Sequence, residues 1–254
     1  MLPAQEGLGE VVNGLSVDVE GFAESMAESF PVPRSFLSTE EADREIRQNM
    51  AFVLDLFDQM GVKATFFFLG RIAETAPEVV SQAALRGHEI ACHGYQHSRV
   101  TDRGAFERDI AKAKRLLEDV AGVPVRGFRA PDFSITKQTL WAIDVLRELG
   151  FQYDSSIFPI GFHDVYGIGE WSPTILEVAP GFWEFPLATF AVLGRTLPVA
   201  GGGYFRLYPF WLTRHAIRRI NRSGQPAMIY LHPYEIGPVA PRLPGLSLYR
   251  RFRH

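Results

Sequence analysis

Six residues of the 254-residue chain have side chains that could do chemistry together: Asp18 and Glu20 in SVDVEG, His93 and His97 in HGYQH, Arg129 in GFRAPDFS, and His232 after AMIYL. Two imidazoles separated by three residues can reach one metal ion, and a carboxylate completes a three-ligand set that leaves room for water. By spacing alone such a pair equally decorates a surface helix, so the acidic groups decide the weight it carries. With one residue between them at a strand end, Asp18 and Glu20 point to the same side. One can bind the metal while the other stays free to take a proton; alternatively Glu20 belongs to the following loop and is solvated. Arg129 precedes Ala130 and Pro131 and can hold a carboxylate by paired hydrogen bonds, which orients Asp18 and keeps it ionised; a structural ion pair is the simpler account. His232 is either a satisfied core histidine or, on the same rim as the others, a proton donor to a leaving amine.

These residues need a scaffold that brings distant segments to one edge. Runs rich in β-branched and aromatic residues at Val11–Val19, Lys63–Leu69, His88–Cys92, Val125–Arg129, Trp183–Leu187 and Ala227–Leu231 read as buried parallel strands. Between them helical spacing recurs, most clearly in Glu40–Met60, where Ile46, Met50, Val53, Leu54 and Phe57 return every three or four residues. Further helices are predicted over Pro77–Arg86, Asp102–Val120, Thr136–Leu149 and Tyr208–Asn221, with Gly61, Gly87, Gly122, Gly150 and Gly224 at their ends. Strand and helix alternate, which implies a parallel sheet with right-handed crossovers. Gly-rich phosphate loops do not follow any of these strands, which weighs against an open nucleotide-binding sheet. In a barrel the carboxyl ends of the strands form one face, and all six reactive residues fall there. The stretch of about 158–203, rich in Gly, Pro and aromatics, is expected to form long loops around the site.

Composition narrows the partners. With 46% apolar and 22% charged residues the chain can bury one large core, so a single domain over 1–254 is expected. Lys and Arg number 26 against 29 Asp and Glu, a formal charge of -3, which builds no broad field for nucleic acid. The single cysteine, Cys92, excludes an intramolecular disulfide and reads as a small buried hydrophobe. No stretch approaches the roughly 18 uninterrupted apolar residues of a membrane span, and the N-terminus lacks the pattern of a secretory signal, so a cytoplasmic location is the expectation.

In order, SVDVEG, HGYQH, RAPDFS and YLHP resemble the successive motifs of NodB-type polysaccharide deacetylases, carbohydrate esterase family 4, over roughly Asn13 to Pro238. DVEGF, RAPDFSI, YDSSIFPI, HPYEI and the ending RFRH are similar to deacetylases from bacterial exopolysaccharide gene clusters. The resemblance implies a distorted (β/α)7 barrel, one divalent metal ion (zinc first, cobalt or nickel as alternatives), and hydrolytic de-N-acetylation of an N-acetylated carbohydrate. It makes Asp18 the general base, His93 and His97 metal ligands, Arg129 the partner of the base and His232 the general acid. Many members carry a second, metal-binding aspartate directly after the base; Val19 stands there, and Glu20 is the proposed ligand instead. Asp132 occupies the place of a tyrosine whose backbone N–H helps to stabilise the oxyanion. Asp154 in YDSS is a candidate to support the acidic histidine, and Tyr95, Phe133, Trp183 and Tyr204 are candidates to stack on sugar faces. Two readings compete: a cyclic-amide hydrolase of the allantoinase type on the same barrel, and a catalytically silent glycan-binding module.

Overall fold

A computed structural model describes residues 11–29, 39–161, 167–192 and 195–239; the RFRH ending lies outside the described residues. In chain order the strands are β1 (Gly14–Val19), β2 (Thr65–Phe68), β3 (Glu89–Cys92), β4 (Gly127–Phe128), β5 (Tyr153–Asp154), β6 (Leu176–Ala179), β7 (Phe182–Glu184), β8 (Thr189–Val192), β9 (Arg195–Pro198) and β10 (Met228–Leu231). The helices are α1 (Phe22–Ser29), α2 (Thr39–Met60), α3 (Gly70–Thr75), α4 (Pro77–Leu85), α5 (Arg103–Ala121), α6 (Ala142–Glu148), α7 (Gly203–Leu207), α8 (Phe210–Arg222) and α9 (Pro233–Ile236).

Seven strands run parallel in the order β10-β1-β2-β3-β4-β5-β7, and β6 pairs antiparallel with β7 at the far edge. The sheet curls as the (β/α)7 expectation requires, and its ends approach through single backbone bonds. Ala188 N–H donates to the Met228 carbonyl at 3.1 Å and Tyr230 N–H to the Ala200 carbonyl at 2.9 Å. Central strands covered on both faces need apolar side chains throughout, and Phe66, Phe67 and Phe68 of β2 are all buried. The predicted stripe of α2, Ile46 to Phe57, packs into the main core. A second apolar cluster, which includes Phe133, Phe158, Leu187, Ala200 and Tyr230, lies beside the first.

Helix boundaries follow local chemistry. The Asp102 side chain accepts from the Ala105 N–H at 2.8 Å to start α5, and Gly122, at φ 68°, ends it in the left-handed conformation. The helix expected from Thr136 begins only at Ala142. The Thr139 hydroxyl accepts from the Thr136 N–H at 2.8 Å and donates to the Ser134 carbonyl at 3.1 Å, so a side chain takes the backbone partner a helix would need. The stretch expected as long loops also carries regular structure beyond the predicted strand: β6 turns into β7 at Gly181, and β8 and β9 form a second antiparallel pair. No described helix is long and apolar enough to cross a membrane.

Candidate active site at the carboxyl edge of the sheet

Glu20 follows the last residue of β1 and His93 the last residue of β3. His97 is carried by a loop, not a helix, that turns at Gly94 (φ 87°) and is held by the Gly70 N–H donating to the Gly94 carbonyl at 2.7 Å. One ligand atom from each of Glu20, His93 and His97 lies within 4.8 Å of the others, and all three residues are buried. Glu20 Oε2 is 2.6 Å from His97 Nε2 and 3.7 Å from His93 Nε2. His93 Nδ1 is 2.8 Å from the Arg129 carbonyl oxygen, which can only accept, so Nδ1 carries a proton and Nε2 is the ring atom that faces the carboxylate. A buried carboxylate against two imidazole nitrogens is an arrangement that a cation between the three would satisfy. The donor set, two imidazoles and one carboxylate, therefore fits a divalent metal of the zinc type. Burial, the largest influence on Glu20, would raise its pKa, but the charge of His97 and hydrogen bonds to His232, His93 and His97 hold it well below the usual carboxylate range. Burial depresses His97, yet the adjacent Glu20 overrides it and the imidazole is raised to about 9.

The carboxylate of Asp18 is held by a guanidinium with no solvent exposure. Arg129 Nη1 donates to Asp18 Oδ1 and to the Ser16 hydroxyl, both at 2.7 Å, while Nε donates to the Ser155 carbonyl at 3.0 Å and Nη2 to the Ser155 hydroxyl at 2.8 Å. Ser16 and Ser155 were not singled out from sequence; serines next to the SVDVEG and YDSS acids were the available signal.

His232 follows the last residue of β10 and caps α9. Its backbone N–H donates to Glu235 Oε2 at 2.9 Å, its Nδ1 lies 3.0 Å from the same oxygen, and its Nε2 is 3.2 Å from Glu20 Oε1. Arg206 pairs with the other Glu235 oxygen. Burial works against a charged His232, but Glu235 and the hydrogen bond to Glu20 raise its pKa well above the ordinary value. The partner of His232 is thus Glu235, three residues on in HPYEI, and not Asp154. Asp154 is turned away because it accepts from the Ser156 hydroxyl at 2.5 Å and pairs in register with Glu184 of β7, both carboxyls being fully buried.

Asp18, Glu20, His93, His97, Asp132, Phe133 and His232 line one cavity of about 140 Å³, completed by Ser25, Ala130 and Tyr230. Asp132 (φ 53°) and Phe133 (φ 50°) are consecutive non-glycine residues in the left-handed region, a strained geometry that clusters at functional sites. The Asp132 carboxylate is tied to Arg99 Nε at 2.8 Å, outside any reactive role for its side chain. Of the four aromatics expected to meet sugar, Phe133 alone lines this cavity. Tyr95 is drawn away, its hydroxyl donating to Glu74 Oε2 at 2.6 Å with Lys112 Nζ 3.4 Å above the ring. Trp183 projects outward from β7 into solvent, and Tyr204 stacks on Tyr208 and packs edge-on against Phe158. Cys92 is buried as expected, its thiol pushed up to about 12 by burial.

A curled, seven-stranded parallel α/β sheet with a carboxylate and imidazole cluster at its carboxyl edge is the class that the fold and the site define. The chain carries a segment of the NodB type: residues 37–153 match the family described as polysaccharide deacetylase, and residues 155–254 match a domain of unknown function, DUF3473. A peptidoglycan-N-acetylglucosamine deacetylase of Bacillus cereus is 35% identical over 95 residues, 36% of this chain and 34% of that protein. A chitooligosaccharide deacetylase of Azorhizobium caulinodans is 33% identical over 103 residues, 39% of this chain and 48% of that protein. The chain therefore spans between a third and a half of these relatives. In fold it is similar to a Mycobacterium smegmatis crystal structure described as that of a polysaccharide deacetylase (TM-score 0.59, 22% identity, 90% of this chain and 79% of the other). It is also similar to that of Puue allantoinase (TM-score 0.61, 17% identity, 89% and 79%).

Proposed function

We propose that the chain hydrolyses the acetamido group of an N-acetylated sugar in a glycan, with one divalent metal ion, zinc before cobalt or nickel, held by Glu20, His93 and His97. The observation that carries this reading is the convergence of those three ligand atoms within 4.8 Å, beside Asp18 and His232 in one cavity. Such an ion, when bound, polarises the amide carbonyl and acidifies a water molecule. Asp18, held in place by Arg129, accepts the proton of the attacking water. The Asp132 backbone N–H donates to the carbonyl oxygen as charge develops on it. His232, whose pKa is raised by the carboxylate of Glu235, passes its proton to the departing sugar nitrogen. Among the four aromatics, sugar contact within the cavity is assigned to Phe133. The deacetylase names of the relatives and the similarity of DVEGF and HPYEI to exopolysaccharide-cluster enzymes support a polymeric substrate.

The test is acetate release from chitin oligosaccharides by metal-loaded protein. Asp18→Asn is expected to retain metal and fold while kcat falls by about 10²–10⁴; turnover at the parental rate removes Asp18 as the base. A cyclic-amide hydrolase is the second reading, favoured by Val19 where a metal-binding aspartate is common. Hydrolysis of allantoin with no acetate release from chitin oligosaccharides would select it.

A further inference from the structure

Outside the site, the outward face of α8 combines features that neither packing nor the proposed chemistry uses. Its sequence, FWLTRHAIRRINR, has four arginines and no acidic residue in a chain whose formal charge is -3. The inward face, with Thr213 and Ala216 buried, seats the helix on the barrel. Phe210, Trp211, Arg214, His215, Arg218 and Arg222 instead line a shallow groove of about 340 Å³. Phe210 is 78% and Trp211 69% exposed, where an apolar ring gains nothing from the fold. Among the described residues, Arg214, Arg218, Arg219 and Arg222 have no ion-pair partner, although most of the surface arginines elsewhere, such as Arg47, Arg86 and Arg147, do. Phe210, Arg214, Arg218 and Arg222 recur every four residues, so they form one stripe of about 18 Å at 1.5 Å per residue.

The position of this stripe connects it to the site. α8 leads into β10, a parallel strand, so the helix begins at the carboxyl edge of the sheet, the edge that carries His232. α7, immediately before it, supplies Arg206 to Glu235, the partner of His232. A stripe that starts at the reactive rim and runs down the flank has the length of an oligosaccharide. Exposed aromatic rings stack on the apolar faces of sugars, and guanidinium groups take carboxylates bidentately. A helix that lies on a membrane keeps a separate apolar face for the lipid; here that face is occupied by the barrel, and the two aromatics share the arginine stripe.

We propose that the α8 face is a docking strip for an anionic glycan, a polymer with carboxylate-bearing sugars, whose N-acetylated units reach the cavity from the α7 side. This deepens the proposed function, on which the link to turnover rests, and it is tested by binding as well as by activity. Hyaluronan, which alternates a uronate with an N-acetylated sugar, is the anionic probe, chitin hexasaccharide the neutral one, and phosphatidylglycerol vesicles the lipid control. Calorimetric titration should show hyaluronan binding that weakens as salt rises. The triple variant R214E/R218E/R222E should weaken it by at least about tenfold, equivalent to 1.4 kcal/mol, and leave acetate release from the hexasaccharide at the parental rate. The milder R214Q/R218Q/R222Q should lie between, and a thermal melt confirms that each variant folds. Hyaluronan binding that is absent in the parent, or equal in the parent and the charge-reversed protein, overturns the proposal, as does binding to the vesicles in place of hyaluronan. If hyaluronan binds through α8 while neither glycan yields acetate, the docking strip stands and the deacetylase reading falls.

Discussion

Replacing Arg129 by Met removes a guanidinium that donates to Asp18, Ser16 and both polar groups of Ser155, yet leaves a side chain of similar length in a site with no solvent exposure. The dominant cost is the Asp18 carboxylate left buried without a partner, about 3–5 kcal/mol. Asp18→Asn keeps an amide oxygen to accept from Nη1 but withdraws the counter-charge of the buried guanidinium, about 1–3 kcal/mol. In the double variant no charge is stranded, so its destabilisation should fall below the sum of the single ones by about 2–3 kcal/mol, the upper part of the range for residues in contact. Urea unfolding of the four proteins followed by tryptophan fluorescence, with a chelator present so that metal binding does not enter, measures this coupling. Additivity within about 0.5 kcal/mol would refute the view that Arg129 works by neutralising Asp18, and would make it a spacer between β4 and β5.

Glu45 is buried beneath the start of α1, where it accepts from the Phe22 N–H at 3.2 Å, and burial raises its pKa from 4.5 to about 7. The folded chain then holds this proton more tightly than the unfolded one, so stability falls as pH rises from 4.5 to about 7 and stays lower above it. Glu45→Gln should accordingly stabilise by about 2–3 kcal/mol at about pH 8 and by less at about pH 5.5 in denaturant titrations. Glu20→Ala and His93→Ala should each weaken zinc retention against a chelator more than about 100-fold, since even supporting residues of metal sites cost 10–100-fold; elemental analysis after dialysis reads this directly. At Gly201, with φ 146°, an added Cβ would stand 1.8 Å from the Tyr230 carbonyl oxygen. Gly201→Ala should cost more than about 1 kcal/mol in the same titrations.

The clustering of the candidate residues was legible because a parallel sheet has one edge at which its strands' carboxyl ends meet and strand ends can be found from apolar runs. Asp18, Glu20, His93, His97 and His232 come together as that logic requires. What supports them was not legible. Ser155 reaches Arg129 across β4 and β5, strands of two residues each, too short to give a periodic signal. Glu235 could have been found, since a histidine three residues before a glutamate, with proline between, is the pattern of a capped helix start. Tyr95 lies outside the cavity, which was not legible because an aromatic in the loop between His93 and His97 carries no sign of its direction, which Glu74 and Lys112 decide from other helices. The β8–β9 pair was hidden for a related reason: its strands are four residues each, and the region is dense with the Gly and Pro that usually mark turns.

The way the curled sheet meets itself bears on how the cavity behaves in time. β1 and β3, which lead to Asp18, Glu20 and His93, and β2 between them each have a hydrogen-bonded ladder on both flanks. β10 has a ladder to β1 alone, and its other flank is stitched by the amides of Ala188 and Tyr230. Amide exchange should therefore run faster along Met228–Leu231 than along β1, β2 and β3. The half of the pocket that holds Glu20 and His93 is the stationary jaw and the half that holds His232 the one able to part, so under the proposed function a bulky leaving group would depart past His232 without disturbing Glu20 and His93.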